Sequence, residues 1–196
     1  MPVHISQGNS KLGNIPNISL PPGPAFGCRK DAPCFKDCYA WKAWRQYPTT
    51  RAAWTENWLI YRASPMDYFG QIRDRLQHTR KAFFRWHVAG DIPDFTYLVW
   101  MGWLARQFPG KYFLAHTKRT DLLFDHEHPA NLPENVTLRQ SMWPGWLPEF
   151  TGLPKSWMQD GTEDRVPMDA FECPGHCESC YACWYKDVPD VVIKFH

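Results

Sequence analysis

The chain has 196 residues, of which 44% are hydrophobic and 21% charged, with a formal net charge of +2. That composition fits one soluble domain with a buried core and excludes a disordered or low-complexity polypeptide. No run of about 18 apolar residues occurs and the opening MPVHISQGNSKLG lacks the charged-then-apolar order of a signal peptide, so no membrane span and no secretory route are expected, and the cytoplasm, a reducing compartment, is the expected location.

In chain order, residues 1–27 hold five prolines and four glycines and read as an extended arm. Residues 28–196 read as a single α/β domain. A short helix is expected from Cys38 to Arg45. A second, capped by Thr49 or Thr50, runs to about Arg62 with Ala53, Trp54, Trp58 and Tyr61 at helical spacing. Ser64-Pro65 has the cap-then-proline signature of a third, with Phe69, Ile72 and Leu76 on its inner face. AFFRWHVAGD then reads as a strand with Phe84, Trp86 and Val88 on one side and Arg85 and His87 on the other. A helix from about Asp94 to Gln107 follows, with Phe95, Leu98, Val99, Gly102 and Trp103 on its stripe. Next come a strand in KYFLAHTKR, a helical turn at Thr120–Phe124 and a strand in NVTLRQSMW. Residues 144–167 are rich in Pro, Gly and Trp and read as irregular, and VVIKFH as a closing strand.

This alternation is the rhythm of parallel βα units. The expected fold is a partial (βα) barrel or open parallel sheet of about four to five strands, too short for a full eight-unit barrel. Ligands of such sheets bind beyond the carboxyl ends of the strands, where Gly90-Asp91, His116-Thr117-Lys118-Arg119 and Gln140-Ser141 would converge.

Seven cysteines cannot all pair, and in a reducing compartment clustered thiols bind metal. They form a triplet, Cys28, Cys34 and Cys38, and a quartet, Cys173, Cys177, Cys180 and Cys183, with none in the 134 residues between. The quartet packs four soft ligands into eleven residues, the ferredoxin style of holding a four-iron cluster; zinc is the alternative. His176 lies inside it as a ligand or, preferably, a solvent-exposed loop residue. Three thiolates hold a four-iron cluster with one iron open; here the alternative is zinc with His4 or Asp37 as fourth ligand. Trp54, Trp58 and Trp103 are assigned to the core, whereas Trp143, Trp146 and Trp157 either cover a loop or cluster or stack a base.

Charge is divided as well. Residues 28–81 hold eleven Lys/Arg against five Asp/Glu, Lys11 is the only charge before them, and residues 82–196 carry −5. The basic helices of residues 42–81 are either a solvated surface or a nucleic-acid contact.

The succession CRKDAPCFKDCYAW, RWHVAGD, FLAHTKR, CPGHCESCYACW and VVIKFH, from about Cys28 to the C-terminus, resembles the phage gene-product family of the gene product eighty-eight type, related to radical S-adenosylmethionine proteins. A broader phage family with a similar barrel shares the CYA ending of the triplet and a strand closing in TKR. The resemblance implies a partial TIM-like barrel, an open-iron [4Fe-4S] cluster on Cys28, Cys34 and Cys38 as the catalytic centre, and an auxiliary [4Fe-4S] cluster in the segment 173–184. It further implies S-adenosylmethionine as cofactor: Gly90 and Asp91 would receive the methionine ammonium, Lys118 or Arg119 its carboxylate, and Gln140 and Ser141 the ribose. The triplet departs from the standard C-x3-C-x2-C, having gaps of five and three and Tyr39 after rather than before its last cysteine. The expected function is a phage-encoded enzyme that abstracts hydrogen from a nucleotide or DNA base, served by a reductant such as flavodoxin. The competing reading is a zinc- or cluster-stabilised nucleic-acid-binding protein without catalysis.

Overall fold

The computed structural model describes residues 1–123, 131–149 and 151–194. Its elements are β1 (Asn17–Ile18), α1 (Tyr39–Gln46), α2 (Pro48–Ala63), α3 (Pro65–Gln77), β2 (Phe83–Trp86), α4 (Phe95–Arg106), β3 (Tyr112–Thr117), β4 (Val136–Met142), β5 (Lys155–Gln159), β6 (Phe171–Glu172), α5 (Cys177–Cys180) and β7 (Val191–Lys194). All paired strands run parallel in one open sheet of order β1-β2-β3-β4-β5-β7-β6. The fold is therefore α/β as expected, with seven strands rather than four or five.

Because β1 to β5 are laid down in sequence order, crossovers of the usual right hand put their helices on one face. The core agrees: Ile72 and Leu76 of α3 and Leu98, Met101 and Leu104 of α4 meet Phe84, Trp86, Phe113, Ala115, Val136 and Leu138 of the sheet. Each such fully buried large side chain contributes roughly 1.5–3 kcal/mol. The opposite, inner face carries a smaller cluster of Leu12, Ile15, Leu114 and Trp184, with Phe83, Val88 and Cys183 against it.

Local signals explain the helices. Ser64 Oγ accepts from the Asp67 amide at 3.2 Å with Pro65 in the first turn, and Asp94 Oδ1 accepts from the Tyr97 amide at 2.9 Å. α2 starts one residue before the expected threonine caps, because Pro48 already has the backbone angle of a first helical position. In α4 the buried stripe is Tyr97, Leu98, Met101, Leu104 and Ala105, with Val99 turned outward; a helix apolar nearly all round does not reveal its inner face by period.

Three expectations are corrected. The arm is part of the sheet: it supplies β1, and Val3, Ile18 and Leu20 are buried in the main core. The segment read as irregular contains β5, and β6 precedes the quartet. The alternation in β2 fails at His87, whose φ of 51° swings its ring to Trp86 and Tyr97 on the helix side and sends Val88 to the inner face. The helical turn expected after β3 is present as a 3-10 helix at Thr120–Leu123; Phe124, Phe195 and His196 lie outside the described residues.

Candidate metal and cofactor site

The chain leaves β1 at Ser19-Leu20 and crosses over the exit of β2. Leu20 N donates to Ala89 O at 3.1 Å, Ala89 N to Ser19 Oγ at 3.1 Å, and His87 N to Ile18 O at 2.8 Å. The crossing requires glycine at Gly90, where φ is 78° and a Cβ would stand 2.8 Å from Leu20 O. Gly27, with φ 98°, passes equally close to Pro93, 2.3 Å from where a Cβ would be. The triplet loop is thus laid directly over the C-terminal ends of β2 and β3.

Arg119 fastens this arrangement. Its Nη1 donates to Gly27 O, Ile92 O and Pro93 O, and Asp121 takes its remaining donors. Arg119 is therefore engaged in holding the loop, and Lys118 is the cation beside the thiols. Asp91 is buried and its carboxylate accepts from Thr117 Oγ1 at 2.5 Å, Lys118 N at 2.9 Å and its neighbour Ile92 N at 2.8 Å. Burial raises its pKa, while Lys118 and these hydrogen bonds act the other way.

The three thiols are close enough to act on one another's charge. Burial above all, with Asp91, Cys38 and Cys34 adding, pushes Cys28 up to about 12, although Gly23 N donates to its Sγ at 3.2 Å. Burial also raises Cys34, against which Lys118 acts as a nearby cation and hydrogen-bond donor. Such thiols stay protonated at neutral pH unless a metal supplies the missing positive charge, and a donating backbone amide is what a metal-bound sulfur accepts.

A lid covers the triplet. Arg29 forks onto Glu149 at 2.6 and 2.8 Å, holding that carboxyl down to about 2, and its guanidinium lies 5.5 Å from the Trp146 ring. Lys118 Nζ lies 5.5 Å from the Trp143 ring. Trp143 and Trp146 therefore lie against two cations that flank the triplet, Lys118 and Arg29, whereas Trp157 is buried in β5 with its Nε1 donating to Asp190 at 2.8 Å. Gln140 is spent on this lid, donating to Glu149 O and accepting from Thr151 Oγ1 at 2.9 Å each. Ser141 is buried beside Ser156 of β5. Trp58 and Trp103 pack on the core as expected, but Trp54 stacks on Trp44 and lines a groove of about 1000 Å³. That groove runs between the arm and α1 to α3 and reaches Tyr39, Val88 and Ala89 at the strand exits.

The quartet occupies the inner face. Trp184 is buried, its Nε1 donating to Phe84 O at 3.1 Å and its carbonyl accepting from Thr137 Oγ1 at 2.7 Å, and Tyr181 stacks on Phe83 at 4.1 Å. From the arm, Lys11 O accepts from Cys177 N at 2.9 Å and Asn14 N donates to Glu178 Oε2 at 2.8 Å. Cys173, Cys177, Cys180 and Cys183 line one small cavity, with His176 exposed at its rim. Burial raises Cys183 to about 11, with Arg139 and Arg85 opposing. Among the described residues no three His, Cys, Asp or Glu side chains converge closely enough to grip a single ion. His4 instead pairs with Glu56 at 2.6 Å, and Asp37 is exposed.

Sequence reasoning missed two residues here. Arg85 lies between the two cysteine sites, and His87 is 3% exposed with neither ring nitrogen hydrogen-bonded. No motif marks either; alternation sets Arg85 on the face opposite Phe84 and Trp86 but gives it no role.

No helix among the described residues is long and apolar enough to cross a membrane. No curated protein and no solved structure matches the chain. A family model described as Gene product 88 matches residues 4–143, which takes in the arm, the triplet and the exits of β2, β3 and β4 and ends before the quartet. The likeness thus begins earlier and ends sooner than the sequence motifs suggest, and the chain belongs to the Gene product 88 family, a phage-type gene-product family.

Proposed function

We propose that this chain is an iron–sulfur enzyme of the radical S-adenosylmethionine type, acting on a nucleotide or DNA base. The observation that carries the proposal is the gathering of Cys28, Cys34 and Cys38 over the C-terminal ends of β2 and β3, beside Asp91 and Lys118. That end of a parallel sheet is where such folds bind ligands.

Cys28, Cys34 and Cys38 would hold a [4Fe-4S] cluster and the quartet a second one. A cluster on three cysteines supplies an open iron for one-electron reduction of the sulfonium of S-adenosylmethionine. The chain's own residues bind and shield. Lys118 offers its ammonium to the methionine carboxylate. Asp91 fixes the β2 and β3 exits through its three hydrogen bonds and places negative charge near the methionine ammonium. Gln140 acts through the lid it holds, and Trp143 and Trp146 keep water from the triplet. Four cysteines lining one cavity within eleven residues suit the compact ferredoxin style of holding a cluster.

Substrate would reach the strand exits by the groove that ends at Tyr39. Lys42, Arg45, Arg51 and Arg62 stand exposed on α1 and α2 and give a nucleic acid phosphate contacts. A reductant such as flavodoxin would supply the electron. In anaerobically reconstituted, reduced protein, S-adenosylmethionine should yield 5′-deoxyadenosine, and Cys34→Ala should abolish that product. Wild-type protein that carries iron but makes none sinks the proposal.

A further inference from the structure

The inner face of the sheet holds a cation that neither cysteine site accounts for. Arg85 lies between them, with Tyr39 and Asp91 acting on its charge from the triplet side and Cys177 and Cys183 from the quartet side. Its Nε donates to Trp86 O at 3.0 Å, and no carboxylate pairs with its guanidinium among the described residues. The other inner-face guanidinium, Arg139, is spent on the carbonyls of Cys183, Lys155, Val188 and Pro189. Among the described residues the terminal nitrogens of Arg85 therefore have no hydrogen-bond partner.

Its surroundings add to the positive field. His116 senses Arg85, Arg139, Lys11 and Lys118 at once, and with burial they keep its imidazole neutral. Asp91, a carboxylate that acts on Arg85, is itself hydrogen-bonded to the β2 and β3 exits. Arg85 is only half-buried, and its terminal nitrogens are not among the buried polar atoms that lack a partner, so they reach solvent. A planar guanidinium whose forked donors reach solvent among other cations is built for bidentate contact with an oxyanion.

We propose that Arg85 anchors an oxyanion, phosphate or carboxylate, of a molecule held on the inner face of the sheet, where Arg85 pairs in register with Leu114 and His116 stands two residues further along β3 on the same face. Calling that molecule the substrate rests on the function proposed above; the anion site itself does not.

The test is calorimetric titration of the full-length chain as isolated, its iron content measured, with inorganic phosphate in one arm and acetate in the other, at low ionic strength. Saturable one-site binding is expected, with the preferred anion telling phosphate from carboxylate. Arg85→Gln should weaken it about tenfold or more, Arg85→Lys should retain part of it, and the exposed control Arg80→Gln should leave it unchanged. Circular dichroism melts show whether each variant is folded; should Arg85→Gln fail to fold, Arg85→Lys carries the comparison. The proposal is overturned if wild-type protein binds neither anion, if folded Arg85 variants bind as wild type, or if Arg80→Gln loses as much. A chain that makes no 5′-deoxyadenosine yet binds phosphate through Arg85 defeats the proposed reaction and leaves the anchor standing.

Discussion

His87 combines three costs at one position: a left-handed backbone without glycine, near-complete burial and two ring nitrogens without partners. Burial, with Arg85 adding, holds its imidazole down at about 3, so the folded protein keeps it neutral where the unfolded chain would protonate it. A histidine depressed in this way stabilises the fold above its ordinary pKa of 6.5, and that stability is lost as pH falls from there toward 3. His116, also depressed by burial, adds a second such proton. His87→Asn, which tolerates the left-handed backbone, should flatten the acid loss of stability by about 1.4 kcal/mol per pH unit. Urea melts at pH 7.5, 6.0 and 5.0 would read it, and an unchanged slope would show that His87 is protonated in the fold. The cysteines, Gly90, Asp91 and Lys118 were legible because motif chemistry and strand ends mark them. Gln140 and Arg119 were legible as polar strand exits, though their hydrogen bonds are to the lid and the loop. His87 was not legible, since its conformation comes from the crossing of β1 over the β2 exit.

Among elements, the segment from β6 to Trp184 turns a cysteine-rich loop into the cover of the inner face. Its anchor is Trp184, buried against Phe83 and Leu114 and hydrogen-bonded at both its indole and its carbonyl. Trp184→Ala should cost roughly 3–5 kcal/mol in urea unfolding, and a loss below about 1 kcal/mol would mean the segment is not held by that contact. The three long helices α2, α3 and α4 announced themselves through Pro48, Ser64-Pro65 and Asp94, local signals that need no partner. β1, β5 and β6 did not. Two residues between prolines, or five of mixed polarity after Pro154, are too short to show a period. They are strands because a neighbouring strand offers free amides and carbonyls, and that information is tertiary.

Across the whole molecule, an open seven-stranded parallel sheet separates two chemistries. One face is an aromatic core under α2 to α4; the other carries Arg85 and His116, with the triplet at the strand exits and the quartet against the smaller inner cluster. The unequal cysteine sets were legible in spacing alone, but that one caps the strand exits and the other covers the inner face of the same sheet was not, because 134 residues separate them. The charge division has a structural counterpart: exposed basic residues of the first half lie on the surface of α1 to α3, and Arg29 turns inward to tie the lid. The central claim, two clusters of unequal ligation on this sheet, is tested most directly by metal content and absorption of the protein isolated without oxygen. The account predicts brown protein with about eight irons per chain, falling to about four in a Cys180→Ala variant; colourless protein carrying zinc would contradict it.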